Sequence, residues 1–399
     1  FIITIFLFFV LQIILPDREK SQLENRNLAQ APELTAENVF SGKFREQTDT
    51  YLSDQFPFRD FFIKAYMNLY SKKTKIPNVN FNQMIEGKDN YNYFIYDDNF
   101  ILSVYGPQKD KNTAYKWAEK VNEIYEVSKE LGFDVIVNIV PSKSEAFNEM
   151  LPEYMRGNTD KEIKNLFYNN ISDRIIKIDT MSEFEKIPIK ELRNMYFNTD
   201  NHWNFYGALE GLKIMSKYLE KNLKLNGDIE NYNFKPYPLS QDYMIGTYNR
   251  NLGDKFPKTE KLEYYYPDDT SVFDNIEFYI LDEEKGEVKA EFSDYYSTLT
   301  EGEWVEYGTL TIWDRDYYRL HNPEALNNYN VVIIKDSFFD AMVPNISLLF
   351  SDVYVIDTRY YKDFNLQNFM EETKADGLML LYNSTAFLKI DDHLSYDVK

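Results

Sequence analysis

The chain has 399 residues with 44 Lys and Arg against 65 Asp and Glu, a formal net charge of −21. That balance excludes a nucleic-acid binder, because phosphate contacts need clustered cations. The absence of cysteine excludes disulfides and thiolate metal sites, while 44% hydrophobic and 17% aromatic residues describe a folded protein. By the usual domain size the length allows two or three units. The 33 tyrosines would suit sugar stacking, but Tyr, Asn, Lys and Ile are also what an AT-rich genome encodes.

Phe1 to Leu15 carries no charge. As a helix it rises about 22 Å, short of a hydrocarbon core. Without an initiator Met the stretch reads as a truncated transmembrane anchor over residues 1–15. No small-x-small cleavage site precedes Pro16, so the anchor is expected to be retained. Residues 16–38 are polar and read as a linker. A catalytic domain is expected over 39–399, exported and tethered to the cell membrane.

Phe58 to Tyr70 reads as an amphipathic helix, and Gly87 to Tyr105 as a hairpin turning at Asp97-Asp98-Asn99. From about Asn112 helices alternate with apolar strands. Thr113–Leu131 is predicted helical, stopped by Gly132, and Phe133–Val140 is a strand ended by Pro141-Ser142-Lys143. Ile163–Tyr168 is a helix, Ile175–Ile178 a strand and Phe205–Asn222 a helix. Residues 226–330 form a β-rich insertion over the sheet edge, with a hairpin from Phe278 to Val288. Val331–Lys335 is a buried-type strand, followed by a helix from Phe338. A strand at Val353–Ile356, a helix at Leu366–Thr373 and a strand at Gly377–Tyr382 close the chain. This alternation predicts an α/β fold with a mostly parallel sheet flanked by helices. Ligands in such sheets bind at the carboxyl ends of strands.

Two blocks carry chemistry. In Asn198-Thr199-Asp200-Asn201-His202-Trp203-Asn204, an extended backbone puts Asp200 and His202 on one side. A carboxylate there fixes the imidazole tautomer and stabilises an imidazolium. In Lys335-Asp336-Ser337-Phe338, the serine sits where strand turns into helix, beside N–H groups able to hold an oxyanion. The expected triad is Ser337, His202 and Asp200. Trp203 reads as packing beside the site or as a sugar-stacking residue, and Asn383 as a turn residue or an extra oxyanion donor. Phe338 would supply a neighbouring N–H or line the substrate. His321 and His393 read as surface residues. Asp314, Asp316 and His321 lie in hydrophilic loop, so no metal site and no cofactor are expected.

These blocks resemble the DHHW family and the AlgJ/AlgX-like O-acetyltransferases with an SGNH-hydrolase-like (flavodoxin-like) domain. Glu24-Asn25-Arg26-Asn27-Leu28-Ala29-Gln30-Ala31-Pro32 is similar to the segment after the family's anchor, and Asp54-Gln55-Phe56-Pro57-Phe58-Arg59 to the next block. Val140-Pro141-Ser142-Lys143 resembles its Pro-Ser-Lys turn. Asp200-Asn201-His202-Trp203 matches the name-giving motif with Asn201 for the first His, and Lys335-Asp336-Ser337-Phe338 matches Gly-Asp-Ser-Phe with Lys335 for Gly. The resemblance implies O-acetyl transfer to an exported polysaccharide through an acyl-serine, with acetyl relayed by an MBOAT-type membrane partner. The residues alone reach only serine-dependent acyl chemistry at a sheet edge. An extracellular carbohydrate esterase, or a non-catalytic polysaccharide-binding or assembly protein on the same fold, remains open.

Overall fold

The computed structural model describes residues 2–21, 26–70, 83–86, 92–97, 100–105, 111–150, 160–239, 244–251, 260–282, 285–291, 305–311, 315–361, 363–388, 393–394 and 396–399. Its helices of eight or more residues are α1 (Ile2–Ile14), α2 (Lys43–Asp54), α3 (Arg59–Tyr70), α4 (Asn112–Leu131), α5 (Asp160–Asn170), α6 (Phe205–Leu223) and α7 (Leu366–Thr373). Its main-sheet strands are β1 (Asp134–Val140), β2 (Ile176–Ile178), β3 (Glu277–Asp282), β4 (Gly286–Ala290), β5 (Tyr317–His321), β6 (Asn327–Lys335), β7 (Phe350–Ile356) and β8 (Gly377–Asn383).

The eight strands lie in the order β4-β3-β5-β7-β6-β8-β1-β2. From β7 to β2 every pairing is parallel, as expected for apolar runs joined by helices. Val331 and Ile333 of β6 face one core, with Phe205, Leu212 and Met215 of α6. Val332 and Ile334 face the other, with Trp117 of α4, Phe167 of α5 and Leu366 of α7. Strand periodicity thus splits one apolar run between two layers, and the sheet is covered on both faces. Gly132 closes α4 with φ 85° and an N–H bond to Ser128 O, a left-handed cap that costs glycine nothing.

The region 226–330 is woven into this sheet. Strands β3, β4 and β5 continue it, pairing antiparallel up to β7. A two-stranded pair, Lys235–Pro238 with Glu263–Tyr266, lies against α6 through Phe205–Tyr264 and Tyr206–Tyr265 ring contacts.

The helix expected after Ser337 does not form. Two short 3₁₀ turns, Phe339–Met342 and Asn345–Leu348, stand in its place. Pro344 is the physical reason: it cannot donate to a helix, and it drives the preceding Val343 to extended backbone (ψ 139°).

At the N-terminus α1 spans thirteen residues, about 20 Å at helical rise. Phe8 stacks on Phe56 at 5.2 Å, and Gln12 donates to Leu52 O. No helix among the described residues is long and apolar enough to cross a membrane, so a transmembrane helix over 1–15 is not supported. Within 16–38, Lys20–Ser21 pairs with Arg26–Asn27, and Asp54 and Gln55 accept the N–H groups of Ala29 and Arg18. The resembling blocks therefore meet at Ala29, whose N–H and carbonyl bond Asp54 and Gln55. Glu24, Asn25, the hairpin turn at Asp98-Asn99 and Asp314 lie outside the described residues.

Candidate active site

The turn that carries Ser337 leaves the centre of the sheet. β6 ends at Lys335, and Asp336 and Ser337 follow at its carboxyl end, beside the end of β8. Asp336 shapes the turn: Oδ1 accepts the Phe338 N–H at 2.9 Å, and Oδ2 accepts the Asn383 backbone N–H at 2.7 Å and its side-chain Nδ2–H at 2.6 Å. This corrects two expectations. The Phe338 N–H and an Asn383 amide N–H are engaged by a carboxylate, so they brace the turn instead of facing an oxyanion. The Ser337 N–H, by contrast, makes no bond to any described residue.

The second block is a bent loop closed by an antiparallel bridge between Tyr196 and Trp203. Asp200 and His202 meet through a tight turn, not through extended backbone: Asp200 Oδ1 accepts both the His202 backbone N–H at 3.0 Å and Nδ1 at 2.6 Å. Asp residues favour such local side-chain to backbone bonds. The ring's Nε2 lies 2.7 Å from Ser337 Oγ. With Nδ1–H donating to Asp200, Nε2 is left to accept the Ser337 hydroxyl proton. One continuous hydrogen-bonded chain thus joins the three residues singled out from the sequence.

Burial opposes ionisation of Asp200, yet the His202 ring and the N–H groups of Thr247 and His202 outweigh it, holding its pKa well below the usual carboxylate range. A folded pKa below the unfolded one adds stability that is complete above the unfolded value and drains away as pH falls. The stability margin of the wild type over Asp200→Asn is therefore expected to shrink between pH 7 and pH 3, about the carboxylate range, in parallel denaturant titrations. A constant margin would mean that Asp200 is not ionised in the folded protein.

Four features hold the loop. Lys143, 1% exposed, donates from Nζ to Phe197 O (2.5 Å), Asn198 O (2.8 Å) and Asp200 O (3.0 Å). Its three donors meet three carbonyls, the arrangement a buried ammonium needs. Glu260 takes the other side: Oε1 accepts Thr199 N–H and Oγ1–H, and Oε2 accepts both Asn198 N–H groups. Burial raises its pKa. Gly246 admits the third support, since a Cβ there would lie 2.1 Å from Thr199 O. That close approach lets Thr247 N–H reach Asp200 Oδ2 at 2.7 Å. Gly246→Ala is expected to cost about 1–3 kcal/mol in denaturant unfolding, as overpacking does, and to lower turnover by displacing the Thr247 donor. Unchanged turnover would show that this donor does not matter.

Trp203 is the fourth. It is fully buried, with Nε1–H donating to Phe338 O at 2.7 Å, and its ring packs where a Cβ on Gly211 of α6 would clash at 2.9 Å. A buried indole cannot stack a sugar, so the stacking alternative is corrected: Trp203 ties the loop to the turn that carries Ser337. Phe338, 2% exposed, packs its ring 5.0 Å from His202 and does not line an open surface.

Tyr307 was not foreseen. Its ring lies parallel to the His202 imidazole, centroids 3.7 Å apart at 4°, and its hydroxyl donates to Ser337 O at 2.7 Å. Burial, then the nearby Asp340, Asp200 and Asp336, raise its pKa well above the usual tyrosine value, so it stays a neutral donor.

Lys335, the departure from glycine, pairs with Asp340 of the 3₁₀ turn that follows Ser337. It is fully buried between Asp340 (2.8 Å) and Asp357 (3.2 Å), whose charges outweigh desolvation and raise its pKa. Asn201 places Nδ2 3.5 Å from His202 Nε2 and leaves the Asp200–His202 pair intact. His393 is buried, its ring against Tyr382 at 5.2 Å, which corrects its surface assignment; His321 lies 3.2 Å from both Asp352 oxygens. A cavity of about 540 Å³ over the antiparallel strands is lined by Tyr279, Tyr317, Arg319 and Asp352 among others, and contains none of the three chain-forming residues. No cluster of three metal-ligating side chains occurs among the described residues.

Residues 100–269 match the family model described as the SGNH hydrolase-like domain of acetyltransferase AlgX. The match includes Asp200 and His202 and ends before Ser337. The chain is 22% identical over 196 residues to the probable alginate O-acetylase AlgJ of Pseudomonas fluorescens, covering 49% of this chain and 47% of that protein; the matched region is thus about half the length of this curated relative. Bacillus cereus PatB1, solved with a sulfonyl adduct, superposes with a TM-score of 0.66 at 21% identity, covering 75% of this chain and 97% of PatB1. A DHHW family protein from Eubacterium siraeum superposes at 0.58 and 18%, covering 79% and 99%. At these identities the structures establish the shared SGNH-hydrolase-like fold, a mostly parallel sheet flanked by helices.

Proposed function

We propose that this AlgX-like chain is a serine-dependent O-acetyltransferase that modifies an exported or cell-wall polysaccharide, with Ser337, His202 and Asp200 as its triad. The observation that carries the reading is the Asp200–His202–Ser337 relay, with its two contacts of 2.6 and 2.7 Å. Support for acetyl transfer comes from the AlgX family match and the AlgJ relative.

In the mechanism, His202 Nε2 takes the Ser337 hydroxyl proton as Oγ attacks the carbonyl carbon of an acetyl donor. The oxyanion faces the unengaged Ser337 N–H; one such donor is worth about 2.7–4 kcal/mol. Collapse expels the donor's leaving group, which takes the proton from His202, and leaves acetyl-Ser337. A sugar hydroxyl then gives its proton to His202 and attacks the ester. A second collapse returns that proton to Oγ, regenerating Ser337 and releasing the acetylated sugar. The ionised Asp200 stabilises the imidazolium in both halves.

The catalytic domain is read as extracellular and held at the cell membrane, with acetyl relayed by an MBOAT-type membrane protein. Incubating the protein with p-nitrophenyl acetate and cell-wall oligosaccharides tests the transferase reading. Oligosaccharides gaining acetyl groups in step with p-nitrophenol release support it. Acetate release at the same rate with no acetylated sugar would make the protein an esterase.

A further inference from the structure

We propose that Tyr307 is a positioning residue of the triad, holding the general base and the nucleophile in register from the β-rich region. The inference rests on the catalytic reading above and extends it to a residue outside both motif blocks. Its basis is a pair of contacts made by one side chain. The phenol ring covers one face of the His202 imidazole at 3.7 Å and 4°, while its hydroxyl bonds the backbone carbonyl of Ser337 at 2.7 Å.

His202 has few other constraints on rotation. Asp200 fixes Nδ1 and Ser337 engages Nε2, but two in-plane hydrogen bonds leave the ring free to rock about the line joining them. A parallel ring on its face removes that motion. Phe338, tilted at 48° and 5.0 Å away, supplies a second wall. An electron-rich ring face also favours the imidazolium that forms when Ser337 loses its proton.

Tyr307 is itself held. Its neighbour Glu306 forms a buried ion pair with Arg250 at 3.0 Å, and Arg250 lies on the same segment as Thr247, whose N–H bonds Asp200. Val305 O accepts Ile245 N–H. One folded unit therefore presents the Asp200 donor and the His202 cover together. The phenol, kept neutral by its buried acidic surroundings, retains the proton that its bond to Ser337 O requires.

Two variants separate the contacts. Tyr307→Phe keeps the stacked ring and loses one neutral hydrogen bond, so kcat for p-nitrophenyl acetate is expected to fall about fivefold. Tyr307→Leu removes both contacts, and a misplaced base can cost about 100-fold in kcat, with KM within about twofold because no substrate contact is lost. The rate of Ser337 modification by an aryl sulfonyl fluoride is expected to fall in the same order. The His202 ring-proton NMR signals, shifted upfield by the stacked ring, are expected to stay in place in Tyr307→Phe and move downfield in Tyr307→Leu.

Ser337→Ala, run alongside, separates the two claims. If Ser337→Ala is inactive while folded Tyr307→Leu keeps wild-type kcat and sulfonylation, the Tyr307 proposal is wrong and the triad reading stands. If Tyr307→Leu does not fold, Tyr307→Phe decides through its kcat and sulfonylation rate, and wild-type values there overturn the hydroxyl clamp. Wild-type activity in Ser337→Ala would overturn the triad and the Tyr307 proposal with it.

Discussion

Asp200→Asn is expected to lower kcat by about 10⁴-fold, as loss of the orienting carboxylate does in a serine triad, with the protein still folded. All three groups that meet the Asp200 oxygens are N–H donors: His202 N, His202 Nδ1 and Thr247 N. An asparagine carries only one oxygen, so its NH₂ must face a donor. Turned towards His202, it forces the proton from Nδ1 to Nε2, which can then no longer accept the Ser337 proton. Turned towards Thr247, it repels that N–H and releases the loop's contact with the 246–249 segment. Either orientation breaks the relay. Steady-state kinetics with p-nitrophenyl acetate, alongside circular dichroism, give the answer, and a folded variant within tenfold of wild type would exclude Asp200 as the orienting acid.

The second large effect is at Lys143. Lys143→Ala removes three charge-assisted bonds and leaves the carbonyls of Phe197 and Asp200 buried without this donor, while Asn198 O keeps the Ile101 N–H. Buried bonds to a charge are worth about 1.5–3 kcal/mol each before relaxation, and breaking a buried ionic arrangement commonly costs about 3–5 kcal/mol. A loss in that upper range is expected in urea unfolding, together with a fall in kcat, because the released backbone carries Asp200. Lys143→Met separates the two effects: it refills the volume but supplies no N–H, so it should recover some stability and little activity. If methionine restored activity, Lys143 would be a packing residue only.

Much of this site could be read before the structure. Asp200, His202 and Ser337 are chemically distinctive, and each lies next to an apolar strand or amphipathic helix whose periodicity marks a sheet end. The same periodicity located β8, α4 and α7 to within one residue, whereas β6 begins at Asn327, four residues before the expected Val331. Other features could not be seen that way. Tyr307 is one of 33 tyrosines, and its place depends on the 305–307 segment meeting the 244–250 segment, through the Met244–Val305 bridge and the Glu306–Arg250 pair, a meeting that local pattern does not encode. Glu260 looks like any surface carboxylate until four donors of the 198–199 backbone and side chains converge on it. Lys143 belongs to the Pro-Ser-Lys turn, but a lysine at a strand end gives no hint that its ammonium is buried. The helix drawn after Ser337 failed because hydrophobic periodicity outweighed Pro344, the residue that ends it. His393 was misplaced because its neighbours are acidic and polar in sequence, whereas Tyr382 covers it in space.

The central claim is that Ser337 carries the acyl group, and intact-mass analysis of wild type and Ser337→Ala after brief exposure to p-nitrophenyl acetate tests it most directly. The account predicts a gain of about 42 Da, one acetyl group on the nucleophile, in the wild type and none in Ser337→Ala. The adduct should discharge when oligosaccharide is added. An adduct that persists unchanged in Ser337→Ala, or turnover with Ser337 absent, would contradict it.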